Sequence, residues 1–134
     1  MKISRKRIIS SVVIILFLIG IILLLVYLKN LTDYKRAVSE ASFEEIDISN
    51  ISDGVYIGEY DVDFIYAKVE VTVKNGEIIN INILEHKNDR GSAAEAVISD
   101  IVTEQKIDVD AISGATNSST VLKKAVEDAL RKGL

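Results

Sequence analysis

The sequence contains no cysteine, no proline and a single histidine, His86. Without cysteine the chain forms no disulfide, offers no thiolate to an iron–sulfur cluster and carries no thiol for a lipid anchor. One histidine leaves little for a haem or a conventional zinc site. Any redox chemistry must then rest on an organic cofactor. Without proline, glycine has to mark most of the turns. Acid is also missing, but only locally. Residues 1–30 hold five basic side chains (Lys2, Arg5, Lys6, Arg7, Lys29) and no Asp or Glu. The rest of the chain holds eleven basic against twenty acidic side chains, so its net charge is −9 where the whole chain shows −4. Such a surface repels phosphate backbones and counts against a nucleic-acid partner.

What is present is equally uneven. Residues 8–28 contain no charge, and at about 1.5 Å per residue they span roughly 30 Å, the hydrocarbon thickness of a bilayer. The positive mean hydropathy of the chain belongs to this segment. Its apolar stretch exceeds the ~7–15 residues of a cleaved signal peptide, and no A-x-A pattern follows it directly. We therefore expect a retained signal anchor. The basic cluster ahead of it predicts a cytoplasmic N-terminus, with residues 30–134 outside the cytoplasmic membrane. The expected division is a basic tail over 1–7, the membrane anchor over 8–28, a polar and partly helical stalk over 29–52, and a folded domain over 53–134.

Within that domain Val55–Tyr60 reads as a short first strand. Ile65, Ala67, Val69, Val71 and Val73 then alternate with Tyr66, Lys68, Glu70, Thr72 and Lys74, the period of a half-buried strand. Asn75-Gly76 follows, the dipeptide best suited to a type I′ hairpin turn. Ile79, Ile81 and Ile83 alternate with Asn80 and Asn82 on the return strand. A polar loop over 87–91 leads to Ser92-x-x-Glu95, a capping box at a helix start, with Ala94, Val97, Ile98, Ile101 and Val102 on one apolar stripe. A second helix is expected from about Ser119 to Lys132. Val121, Leu122, Ala125, Val126, Ala129 and Leu130 face inward in it, and Lys123, Lys124, Glu127 and Asp128 form its wet face. The fold class is α+β, an antiparallel β-sheet with helices packed on it, preceded by one N-terminal transmembrane helix.

Between the two helices lies Asp108-Val109-Asp110-Ala111-Ile112-Ser113-Gly114-Ala115-Thr116-Asn117-Ser118-Ser119. Small residues here let a ligand approach the backbone, and first-turn N–H groups without intrahelical partners suit an anion such as phosphate. Hydroxyls at Ser113, Thr116, Ser118 and Ser119 add donors. The plain alternative is that Asn117, Ser118 or Ser119 merely caps the helix.

The run Asp110 to Ser119 resembles the signature Asp-x-x-Ser/Thr-Gly-Ala-Thr/Ser-x-Thr/Ser of the FMN-binding domain family. That family includes the flavin-carrying subunits of the sodium-translocating NADH:quinone reductase and of the Rnf electron-transport complex. Asp53-Gly54-Val55-Tyr56-x-Gly58, Asn75-Gly76 and Glu85-His86 extend the resemblance over roughly residues 53–132. The resemblance implies FMN as cofactor, attached by a flavin transferase that esterifies its phosphate to the last hydroxyl of the pattern, here Ser118. It implies that Asp110 helps the transferase recognise the site, and that Ser113, Gly114, Ala115, Thr116 and Asn117 shape the loop or line the phosphate. His86 either hydrogen-bonds the isoalloxazine or is a solvated strand-end histidine. Tyr56, Tyr60, Phe64 and Tyr66 either stack on the ring or belong to the sheet's own packing. Glu59, Asp61 and Asp63 read as a solvated turn. The larger subunits carry a Glu-Thr-Pro-Gly-like segment where this chain has Lys87-Asn88-Asp89-Arg90-Gly91, and the chain is much shorter. A small stand-alone electron carrier fits better than a pump subunit. Its partners would be the transferase, the lipid bilayer and a membrane redox donor such as a quinone-linked dehydrogenase. The rival readings are a flavin reductase with its own substrate and a flavin-free, membrane-anchored interaction domain.

Overall fold

The computed structural model describes residues 4–88 and 91–134; Lys2 of the basic tail and Asp89 and Arg90 of the polar loop lie outside them. The chain divides into two compact units, Met1–Lys35 and Arg36–Leu134. The first is built on helix α1, which runs from Arg5 to Ser39. Its most apolar 18-residue window has a mean hydropathy of 3.3 and no buried residue, so the helix is long and apolar enough to cross a membrane. Ser11, inside the apolar run, donates its hydroxyl to the Arg7 carbonyl at 2.9 Å. That bond spares a polar group from lipid without a partner.

The second unit is an α+β layer. Strands β1 (Gly54–Asp61), β2 (Tyr66–Lys74) and β3 (Glu77–Lys87) form an antiparallel sheet in the order β1-β2-β3. Asn75 and Gly76 both take positive φ, 53° and 73°, as a type I′ turn demands. The alternation of β2 holds throughout: Ala67, Val69, Val71 and Val73 are buried against the helices. The return strand departs from the expected simple alternation. Val73 pairs with Ile78 and Thr72 with Asn80, which leaves Ile79 as an extra residue. Lys68 pairs with Glu85 and Val69 with Ile83, which leaves Leu84 as another. Each bulge shifts the phase of the strand. Ile79 and Leu84 therefore face solvent, while Ile78 and Ile81 enter the core.

Helix α3 (Thr116–Arg131) lies over β1 and β2 and buries all six of its predicted inward residues. The backbones approach closely at Gly58, where an added Cβ would stand 2.1 Å from the Ala125 carbonyl oxygen. Helix α2 (Val97–Glu104) packs beside β3. The Gln105 side chain, just past its end, accepts from the Ile78 N–H and donates to the Ile78 carbonyl, both at 2.8 Å. This pairs the outer edge of β3 at Ile78 much as a further strand would.

Two expectations about the helices need correcting. The Ser92–Glu95 capping box does not form: residues Ser92–Ala96 make a 3₁₀ turn, and α2 begins at Val97. The Glu95 carboxylate goes instead to His86. Nor is the polar face of α3 wholly wet, because Lys123 is 5% and Glu127 3% exposed. The segment 42–46 covers them. Lys123 Nζ sits 4.2 Å over the Phe43 ring and bonds Asp108 and the Val109 carbonyl. Glu127 accepts from the Glu44 N–H, Lys124 and Arg131. Each buried charge thus has an opposite charge beside it. Downstream of that strap, Ile48 and Ile51 are buried too.

Candidate functional site

The loop between α2 and α3 is set by its apolar residues. Ile107 and Val109 are buried, while Asp110, Ala111, Ser113 and Gly114 are exposed. Gly114 has φ +79°, a left-handed conformation that glycine adopts without strain, and a Cβ there would meet nothing within 4 Å. The chain then turns into α3 at Ala115, an N-cap whose side chain cannot accept a hydrogen bond.

The helix starts at Thr116, ahead of the expected Ser119. The reason is Ser119 itself. Its buried hydroxyl accepts from the Ile112 N–H at 3.0 Å and donates to the Ala115 carbonyl at 2.8 Å, locking loop and first turn together. Asn117, Ser118 and Ser119 therefore lie inside the helix, and none of them is its N-cap. Thr116, Asn117 and Ser118 occupy the first turn, where backbone N–H groups lack intrahelical partners. No acid stands in that turn, a composition that suits an anion at the positive end of the helix dipole.

Thr116 and Asn117 are exposed, but Ser118 is only 3% exposed. It is covered by Gly91, where a Cβ would fall 1.8 Å from Ser118 Oγ. Only glycine allows that backbone over that hydroxyl. The Gly91 N–H donates to Asn88 Oδ1 at 3.0 Å, and the Asn88 amide in turn reaches the His86 carbonyl at 3.4 Å. A short chain of contacts thus joins Ser118 to His86.

The bulge at Leu84 decides where His86 points. It puts His86, rather than Glu85 or Lys87, opposite Ala67 and on the helix-covered face. Tyr60 pairs with the other side of Ala67, so Tyr60, Ala67 and His86 form one row across the sheet. The His86 side chain is 2% exposed, and its Nδ1 lies 3.0 Å from Glu95 Oε1. Its Nε2 is buried and has no hydrogen-bond partner among the described residues. A buried polar atom left in that state points to a missing ligand or water. His86 is therefore no solvated strand-end histidine.

The aromatic candidates separate. Tyr56 donates to the Ser52 carbonyl at 2.6 Å, and its ring lies against Gly54. Tyr66 stands on the opposite face from His86 and donates to Glu59 at 2.8 Å. Tyr60 alone of these three shares a row with His86. Asp61 accepts from the Asp63 N–H, a turn contact as expected. Asp110 is exposed at the entry to the loop. Sequence reasoning did not find Glu95, Asn88 or Gly91 as site residues. The Ser-x-x-Glu spacing read Glu95 as a helix cap, and nothing local marks a contact made across nine positions to His86.

The model of the FMN-binding domain family matches residues 66–131, from the first residue of β2 to the last of α3. The chain carries an FMN-binding domain. The match takes in the loop, the first turn of α3, His86 and Glu95, and FMN is the cofactor the family implies. The residues present fit that group. The first turn behind Ala115, an N-cap without a side-chain bond, and the exposed Ser113 and Thr116 residues suit its phosphate, Gly114 leaves room for its approach, and His86 Nε2 offers a polar contact that has no partner among the described residues.

Proposed function

We propose that the protein is a membrane-anchored, extracytoplasmic flavoprotein that holds FMN through a phosphoester to Ser118 and carries electrons between a membrane donor and an external acceptor. The observation that carries this reading is the first turn of α3, which is uncapped, free of acid and furnished with the Ser118 hydroxyl. The family match over the same residues supports it, and so do the apolar length of α1 and the basic residues ahead of it.

Attachment is a phosphoryl substitution. Ser118 Oγ forms the new bond to the FMN phosphorus, the phosphoanhydride of FAD breaks, AMP leaves, and the serine proton passes to a base of the transferase. Because Gly91 covers Ser118, the backbone at Gly91 has to move aside for the transferase to reach it. The exposure of Thr116 favours one second reading, in which that hydroxyl takes the ester instead. Ser119 is poorly suited, since its hydroxyl is already committed twice.

Once bound, FMN supplies the electron chemistry, and the protein supplies attachment, orientation and tuning. A carrier of this kind needs no acid or base of its own. Co-expression of the full chain with a flavin transferase tests the reading, using a denaturing gel under ultraviolet light and an intact mass. A fluorescent band with the added mass of an FMN ester is expected. A dark band from a yellow preparation would mean FMN held without a covalent bond, and a colourless one would end the flavin reading.

A further inference from the structure

We propose that His86 and Glu95 act as a pair, with Glu95 fixing the His86 ring so that Nε2 becomes the protein's hydrogen-bonding contact to the polar edge of the FMN isoalloxazine. The inference rests on the flavin reading above and adds the residues that meet the ring.

Three independent features converge on it. The first is placement. An even alternation through β3 would have turned His86 away from the helices, and the bulge at Leu84 brings it onto the covered face. Bulges commonly re-aim one side chain at a site in this way. Second, the ring is held at one nitrogen only. Nδ1 faces Glu95 Oε1 at 3.0 Å and the Asn88 amide nitrogen at 3.5 Å, and the carboxylate oxygen, as the nearer partner, favours the tautomer with the proton on Nδ1. Third, Nε2 is buried without a partner among the described residues, in a side chain only 2% exposed. An imidazole desolvated at one nitrogen and anchored at the other is preorganised for a ligand.

The surroundings agree with a flat heteroaromatic ligand. Across the sheet His86 neighbours Ala67, whose small side chain separates it from Tyr60. Gly91, whose N–H bonds Asn88, lies over Ser118, the attachment point. The edge of an isoalloxazine carries both an N–H donor and carbonyl acceptors. Neutral His86 accepts from the former, and protonated His86 donates to the latter.

Glu95 is a positioning residue in this scheme, because its carboxylate acts through the imidazole. Its side chain is about half exposed, so removing its charge leaves no buried void.

The chain has one histidine, so a ring-¹⁵N-labelled sample gives one pair of nitrogen signals, free of assignment ambiguity. The experiment compares the full chain in detergent micelles with and without FMN loading by a co-expressed flavin transferase. Before loading, the Nδ1 signal is expected at the protonated position and the Nε2 signal at the unprotonated one. Loading should move Nε2 strongly and Nδ1 little. In Glu95→Gln the tautomer preference should weaken in the unloaded protein, and the response of Nε2 to loading should shrink. A wild-type Nε2 signal that stays put, in protein whose flavin absorbance shows it to be loaded, overturns the pair and leaves the flavin reading standing. Wild-type protein that takes up no flavin at all overturns both. An unchanged tautomer in Glu95→Gln removes Glu95 from the scheme and so overturns the pair as proposed.

Discussion

The two ends of the helix-covered sheet are built on different terms. From the start of β1 to its middle, the groups interlock. Gly58 admits the backbone of α3, Gly133 packs against Ile51 and Tyr56, Tyr56 bonds the Ser52 carbonyl, and the Ser52 N–H bonds the Gly133 carbonyl. At the other end, where β3 finishes and α3 starts, such closure is missing. Among the described residues the helix has no side-chain cap, Gly114 stands in open space and His86 Nε2 has no partner. Polar groups left unsatisfied in a native fold concentrate where a ligand or chemistry uses them. One end holds the domain together, and the other is kept ready for a cofactor.

That contrast is broken most sharply by Ser118→Ala. Covalent flavin should vanish completely, by in-gel fluorescence and intact mass, while stability changes by no more than about 1 kcal/mol, because alanine is a good helix former at a position that caps nothing. A melt lowered by far more would make Ser118 a structural residue. Gly58→Val attacks the closed end. Its side chain would collide with the Ala125 and Ala129 backbone, and overpacking of this kind costs about 1–3 kcal/mol or more. A thermal or denaturant melt should show that loss. An unshifted melt would mean that α3 is free to move off the sheet.

Gly114→Val has a smaller cost in stability. A Cβ there meets no atom, so the penalty comes from φ +79° alone, about 1–2 kcal/mol. Flavin loading should nevertheless fall, because the added side chain occupies the space open to the ligand. Full loading would refute that use of the space. The smallest effect belongs to the open face of the sheet. The hydrogen bond from Tyr66 to Glu59 pushes the phenol up to about 12 from its usual 10. A folded-state value above the unfolded one means that this contribution is fully present below pH 10 and is lost as pH rises towards 12. Ultraviolet titration of Glu59→Gln should bring the transition back towards 10, with flavin loading unaltered. An unmoved transition would refute the role of Glu59.

Much of this architecture was legible in the residues. The Asn75-Gly76 turn, the alternation of β2 and the inward stripe of α3 follow from local periodicity, which packing had no reason to override. The loop from Asp108 to Ser119 was legible through its small residues and its resemblance. What escaped notice depends on insertion and distance. A run of Ile79, Ile81 and Ile83 looks regular, and only pairing with β2 shows that Ile79 and Leu84 are extra. The same bulge decides that His86 faces inward. Lys123 and Glu127 look like a wet face until residues 42–46 are laid over them. Glu95 looks like a cap because its true partner lies on β3.

Attachment of FMN at the start of α3 is the central claim, and peptide mapping tests it most directly. Full chain co-expressed with a flavin transferase would be digested, and the fluorescent peptide fragmented in a mass spectrometer. The account predicts the FMN phosphoester on Ser118, with Thr116 and Ser119 unmodified. An ester on Thr116, or a chain that carries no flavin mass beside an active transferase, would contradict it.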